Sequence, residues 1–290
     1  MSSNTESKAD FSDLDSGHVE RAALANQSVI WIPGLRGSRA TDAIHLFCFP
    51  FAGGGASVFA KWSATFPKHI TVCPIQYPGR ENRWGESGFT SLESLVATMA
   101  NDLAPFWLGR FAFLGHSFGA IIAFELARTL SRKGYPAPQR LFLSGARAPH
   151  LPPKAPIHEL PDQGFLNKLC EYNGIPDEVL ENTDLMRVLL PIIREDFRLI
   201  EQHRYQSAPP ISVPISVFGG LKDKNVPIAD LLAWSSHTSK AFRSRFFEGD
   251  HFFLFNDQPK IVSNIVEDLE ASAGSSNGSS RLGGMTVGAL

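Results

Sequence analysis

The run Gly115-His116-Ser117-Phe118-Gly119 is where this sequence most plainly offers chemistry. It spells G-x-S-x-G. Residues 110–114 before it form a short apolar run fit for a buried parallel strand, and residues 120–128 after it read as a helix with an apolar face. Strand, sharp turn and helix with a serine at the apex make the elbow that presents a hydroxyl as a nucleophile. A turn that tight leaves no room for bulk at its flanks, which accounts for Gly115 and Gly119. The helix N-terminus behind Ser117 favours developing negative charge. A bare G-x-S-x-G also describes a glycine-rich βα turn; the flanking strand and helix favour the elbow.

A serine hydroxyl attacks well only if a base takes its proton and a carboxylate holds that base. In elbow architectures the partners follow in the order Ser, acid, His. Two histidines lie late enough in the chain, His237 and His251. His237 sits in a helix-like stretch and is most simply a surface or interhelical residue. His251 follows the final strand candidate, in Glu248-Gly249-Asp250-His251-Phe252-Phe253, where a loop can return an imidazole over Ser117. For the acid, the strand ending near Ser144 leads into Gly145-Ala146-Arg147-Ala148-Pro149-His150, and the first carboxylate after it is the distant Glu159. The strand at 215–218 leads into Gly219-Gly220-Leu221-Lys222-Asp223, with an Asp at the tip of the turn. Asp223 is the expected acid; Asp230 reads as a residue that only caps a turn, and Asp250 adjoins His251 too closely to hold its ring from behind. Acyl transfer also needs donors for an oxyanion. The Phe118 N–H, next after the nucleophile, is one. The glycine-rich loop Phe49-Pro50-Phe51-Ala52-Gly53-Gly54-Gly55 suits the other, and it lacks the G-x-G-x-x-G spacing and the Gly-Lys-Ser/Thr ending of phosphate-binding loops.

These side chains need a frame. Strand-like runs at 29–32, 44–49, 70–75, 111–114, 140–144, 215–218 and 243–247 alternate with helix-like runs at 92–106, 119–133, 228–242 and 259–269. Such alternation predicts an α/β fold with a mostly parallel sheet and helices on both faces. One segment breaks the rhythm. About 70 residues separate the strand near Leu143 from the strand near Val217, with helical patterns at 162–172, 176–181 and 184–205. That exceeds one crossover helix and predicts a helical insertion at residues 150–207, on the side of the sheet where α/β active sites lie. Pro191 is expected to kink its last helix or start a new one. Position favours a lid over extra packing.

The 290 residues, 43% hydrophobic and 19% charged, suit one domain at 27–270 between a polar tail at 1–26 and a Gly/Ser-rich tail at 271–290, both expected to be disordered. A net charge of −2 points away from nucleic acid and from anionic membrane surfaces, and no apolar run approaches a membrane span. Three cysteines, Cys48, Cys73 and Cys170, have no metal spacing, and the N-terminus lacks the order of a signal peptide. A cytoplasmic monomer without metal or organic cofactor is expected.

With these residues placed, the chain resembles the type II (editing) thioesterases of polyketide and non-ribosomal peptide synthesis, members of the α/β-hydrolase superfamily. The resemblance spans about 44–269 and rests on Phe49–Gly54, Gln76-Tyr77-Pro78-Gly79-Arg80-Glu81-Asn82-Arg83, the Ser117 elbow, Ser144–Pro149, Leu190-Pro191-Ile192-Ile193-Arg194-Glu195-Asp196, Phe218–Asp223 and His251-Phe252-Phe253-Leu254. The block from Gln76 to Arg83 is the most discriminating, because generic lipases and esterases lack it. The resemblance implies an α/β-hydrolase fold, Ser117, Asp223 and His251 as the triad, and Ala52 as the second oxyanion donor. It further implies hydrolysis of acyl or aminoacyl groups from the phosphopantetheine arm of acyl or peptidyl carrier proteins. The same triad would also serve an esterase or acyltransferase acting on free small molecules, and a silent binding module is the third reading. One departure stands out: the family usually carries Gly where this chain has Asp250, a charge expected to alter the His251 environment or reshape its loop.

Overall fold

The structure, a computed structural model, describes residues 30–35, 43–175 and 177–277. Six strands form one sheet: β1 (Ile44–Phe49), β2 (Ile70–Pro74), β3 (Phe111–His116), β4 (Leu141–Ser144), β5 (Ile215–Gly220) and β6 (Phe242–Phe247). All pairs are parallel, in the order β2-β1-β3-β4-β5-β6. The helices are α1 (Leu92–Asp102), α2 (Ala104–Trp107), α3 (Phe118–Arg132), α4 (Asp162–Cys170), α5 (Asp177–Glu181), α6 (Thr183–Gln202), α7 (Ile228–Leu232) and α8 (Gln258–Asn277).

Side chains alternate across the sheet, so each strand feeds two cores. Phe47, Phe49, Phe111 and Phe113 pack on one face with α1 and α3. Leu46, Cys48, Ala112 and Leu114 pack on the other with Ile261, Val262, Ile265 and Leu269 of α8. Each fully buried aromatic or aliphatic side chain contributes roughly 1.5–3 kcal/mol, so the sheet that carries the site has a rigid base on both sides. α4 to α6 occupy the expected insertion and have a small core of their own, Phe165, Leu169 and Ile193, packed against Ala52. α6 runs unbroken through Pro191 rather than restarting there.

Four local expectations shift. Ile30 and Trp31 form a helical turn instead of a strand, because the Trp31 indole N–H is drawn to Asp102 at 2.8 Å and the Trp31 carbonyl accepts the Gln76 N–H at 2.8 Å. Val29 lies outside the described residues. The helix expected over 92–106 is two, meeting at Leu103 before Pro105. The one expected over 228–242 is α7 followed by a 3₁₀ turn, Ala233–His237. α8 continues to Asn277, so residues 271–277, read as tail, belong to the last helix. The tail segments 1–26 and 278–290 lie outside the described residues. Among the described residues no helix is long and apolar enough to cross a membrane, and no group of three His, Cys, Asp or Glu is arranged to hold a metal ion.

Candidate active site

β3 delivers Ser117 and α3 carries the chain away. Ser117 has φ 55° and ψ −117°, a region that costs a non-glycine residue on the order of 1–3 kcal/mol. The flanking packing holds it there. A Cβ on Gly115 would lie 2.2 Å from the Gly119 carbonyl oxygen, and one on Gly119 would lie 2.1 Å from the Phe49 carbonyl oxygen. The Ser117 N–H donates to the Ser144 carbonyl at 2.7 Å, tying the elbow to β4.

The two partners arrive from the loops after β5 and β6. The Ser117 hydroxyl lies 3.0 Å from His251 Nε2, and His251 Nδ1 lies 2.7 Å from Asp223 Oδ2. Both side chains are almost wholly buried. The other Asp223 oxygen, Oδ1, accepts the N–H groups of Asn225 at 2.8 Å and Val226 at 3.1 Å. Those two donors fix the carboxylate's rotation, so Nδ1 of His251 carries the proton and Nε2 is left as acceptor for the serine. The loops fit closely: a Cβ on Gly220 would lie 2.2 Å from the Asp250 carbonyl oxygen.

The rejected carboxylates have other partners. Asp230 pairs with Arg147, and Glu159 is exposed. Asp250 turns away from the imidazole and accepts the Phe252 N–H at 3.0 Å and the Asn173 side-chain amide at 3.3 Å. It thereby links the loop to the insertion. His237 is buried in an interhelical niche, 2.6 Å from His150 Nδ1. Burial, then the neighbouring His150, pushes its pKa down to about 4. Beneath His251 lies His116, fully buried, with ring centroids 5.2 Å apart. Burial first, then His251, pushes the His116 pKa well below its ordinary value, so His116 places no cation beneath His251 at neutral pH.

Phe118 and Ala52 border the cavities that meet at Ser117. Phe118 is the first residue of α3 and has no intrahelical acceptor. Ala52 lies in the glycine-rich loop after β1, and among the described residues its N–H meets no acceptor. Two cavities meet at Ser117 and His251. One, of about 190 Å³, is walled by Phe51, Leu169, Ile175, Leu189, Ile193 and Phe252. The other, of about 620 Å³, is wider and more polar, with Arg147, His150, Lys154, Arg204 and Tyr205 on its walls. Tyr172 and Phe197, both from the insertion, border the two cavities, and the Tyr172 ring stands edge-on to His251 at 4.9 Å.

The thioesterase-domain family model matches residues 44–272, the span that holds all of these groups. The chain belongs to the thioesterase family. This thioesterase is 43% identical over 227 residues to the gramicidin S biosynthesis protein GrsT of Aneurinibacillus migulanus, a match that covers 78% of this chain and 89% of that protein. Among solved structures it is similar to ClbQ from the colibactin NRPS/PKS pathway, with a TM-score of 0.76, 32% identity and coverage of 80% of this chain and 99% of that one. It is likewise similar to the type II thioesterase BorB from the borrelidin biosynthetic cluster, with a TM-score of 0.75, 32% identity and coverage of 83% and 98%. The fold is accordingly the α/β-hydrolase fold of these neighbours, and the family makes the chain a hydrolase of thioesters.

The sequence reading left two features of the site unassigned. Tyr172 over His251 is one. The other is the buried pair of Arg80 and Asp196 behind the Ala52 loop, joined at 2.6 and 2.8 Å. Both pair members lie in blocks that carried the family resemblance, but residues 116 apart in sequence give no sign that they meet.

Proposed function

We propose that this thioesterase is a stand-alone editing enzyme that hydrolyses acyl or aminoacyl thioesters from the phosphopantetheine arm of carrier proteins in polyketide or non-ribosomal peptide synthesis. The observation that carries the reading is the serine at the junction of two unlike cavities. The smaller, apolar one suits an acyl chain, and the wider polar one suits a thin amide-rich arm reaching in from another protein. The pathway names of GrsT, ClbQ and BorB support the substrate class.

In this reading Ser117, Asp223 and His251 are the triad. Ser117 Oγ attacks the thioester carbonyl carbon while His251 Nε2 takes its proton, and Asp223 balances the imidazolium. The N–H groups of Phe118 and Ala52 hold the oxyanion, aided by the N-terminus of α3. The C–S bond then breaks, His251 returns the proton to the sulfur, and the pantetheine thiol leaves. Water attacks the acyl-serine ester, its proton passes to His251 and on to Ser117 Oγ, and the free acid departs. No metal or organic cofactor enters these steps. Residues 150–207 serve as a lid that admits the arm and keeps bulk water off the ester. Its separate small core and the exposed apolar Leu185 and Val188 on α6 support that role. The buried free thiols Cys48 and Cys73 suit a reducing compartment, the cytoplasm. The enzyme works as a monomer that meets its carrier as a separate protein.

The test compares one acyl group on a carrier protein, on N-acetylcysteamine and as an oxygen ester, with Ser117→Ala as control. Contacts with the carrier surface should raise kcat/KM at least about tenfold over the short thiol ester, ~1.4 kcal/mol of remote binding energy used at the reacting carbon. Ser117→Ala should abolish turnover on all three. Equal values for carrier and N-acetylcysteamine, or a preference for the oxygen ester, would make this a general esterase.

A further inference from the structure

The insertion brings one buried carboxylate to the site. Asp196 on α6 is 3% exposed. Its Oδ2 accepts the Gly53 N–H at 2.7 Å and Arg80 Nη1 at 2.6 Å, and its Oδ1 accepts Arg80 Nη2 at 2.8 Å. Arg80 Nη1 also donates to the Gly54 carbonyl at 3.3 Å. The pair thus grips the glycine loop by an N–H and by a carbonyl one residue apart. Gln76 completes the hold. Its Oε1 accepts the Ala56 N–H at 2.8 Å, and its amide donates to the Arg80 carbonyl at 3.0 Å. Ile193, three residues before Asp196 on α6, lies over the same loop. Gly53 has φ +82°, and a Cβ there would lie 2.5 Å from Ile193 Cγ1.

Stability is a poor account of this arrangement. Taking two charges out of water costs several kcal/mol per ion, and well-packed apolar pairs are often as stable. What the ion pair supplies is geometry: a bidentate fork leaves little rotational freedom, and the third donor on the carboxylate is the loop itself. Burial works against the Arg80 charge, but Asp196 outweighs it and holds the guanidinium above its ordinary value.

We propose that Asp196 is a positioning residue that fixes, through the Gly53 N–H, the loop carrying the Ala52 N–H, so that the second oxyanion donor is set only while α6 is seated. The inference rests on the reading of Ser117 as nucleophile and Ala52 as oxyanion donor. Its consequence is that a lid helix lifted to admit a substrate also loosens the oxyanion hole, and chemistry waits for the helix to return. This adds an on-site check to the lid: an arm that enters but leaves α6 displaced meets a serine with one donor instead of two.

The experiment uses the full chain with Asp196→Asn and the apolar double variant Arg80→Met/Asp196→Leu, which removes the fork without leaving an unpaired buried charge. Four quantities are read: kcat, KM, the affinity of an alkyl boronic acid that forms a tetrahedral adduct on Ser117, and the affinity of a non-hydrolysable acyl thioether of the same length. Loss of one oxyanion donor typically costs 10²–10³ in kcat. A loosened donor is therefore expected to lower kcat and boronate affinity together by about 10²-fold in the double variant, with KM and thioether affinity within about threefold of wild type. A double variant that unfolds at the wild-type denaturant midpoint and keeps kcat within threefold overturns the proposal. So does an equal loss of boronate and thioether binding, which would mark a merely structural role. The boronate readout does not depend on the natural substrate. A wild-type protein that ignores carrier thioesters while its variants still lose boronate affinity sinks the substrate reading and supports this one.

Discussion

Replacing Asp223 by Asn separates geometry from charge in a way the structure makes calculable. The Asp223 carboxylate meets three donors: the Asn225 and Val226 N–H groups on Oδ1 at 2.8 and 3.1 Å, and His251 Nδ1–H on Oδ2 at 2.7 Å. An asparagine has one acceptor oxygen. If that oxygen stays on the two backbone donors, the amide NH₂ faces His251 and must donate to Nδ1. The imidazole proton then moves to Nε2, which lies 3.0 Å from Ser117 Oγ and becomes a donor where an acceptor is needed. The opposite flip sets the NH₂ against two backbone N–H groups in a part-buried turn, at about 1 kcal/mol or more for each unsatisfied donor, so the first orientation prevails. Loss of the correct tautomer costs on the order of 10⁴ in kcat, or about 5.4 kcal/mol of barrier. Asp223→Ala removes the support without imposing the wrong tautomer, and is expected to be at least as active as Asp223→Asn. Single-turnover acylation by a chromogenic thioester measures both. An Asn variant with more than a hundredth of wild-type rate, or an Ala variant tenfold slower than the Asn variant, refutes the reasoning.

Two further outcomes follow from the same geometry. Gly119→Ala should cost about 3 kcal/mol or more, because the new Cβ would meet the Phe49 carbonyl oxygen at 2.1 Å and the Pro50 carbonyl oxygen at 2.6 Å, both backbone that cannot yield; an unchanged urea midpoint would contradict this. Acid should weaken the fold through His237. Its pKa is about 4 when folded and about 6.5 when unfolded, so the unfolded chain binds more protons between those values. Its stability contribution is complete above pH 6.5 and is lost as pH drops through 4. His203 works the other way: burial opposes its charge, but Glu125 and Glu93 raise its pKa. The readout is therefore the stability gap between wild type and His237→Gln, which should narrow as pH falls from 7 to 4.5; a gap independent of pH counts against the assignment.

The frame was legible because its signals are local. Alternation feeds two cores from each strand, so the apolar runs over 44–49, 111–114 and 215–218 could be strands of one parallel sheet and little else. That Ser117, Asp223 and His251 would come together was legible for a related reason. Each lies within a few residues of a strand end, and a parallel sheet brings its strand ends to one edge. What the sequence hid is set by the insertion. Nothing near Tyr172 announces that its ring will meet His251, and nothing near Asp250 announces Asn173 as its partner, since both contacts depend on how α4 docks. Ile30 and Trp31 misled for the same reason: an apolar run reads as a strand until a distant carboxylate, Asp102, claims the indole. The Gln76–Arg83 and Leu190–Asp196 blocks are the instructive middle case. They marked the family, yet their chemistry emerged only when Arg80 and Asp196 closed on Gly53. A motif whose function is to hold another motif carries no reactive group of its own, so residue chemistry alone passes over it. In this chain the proposed nucleophile is marked by its neighbours in sequence, whereas the loop proposed to stabilise its transition state is tied to a helix more than 100 residues away.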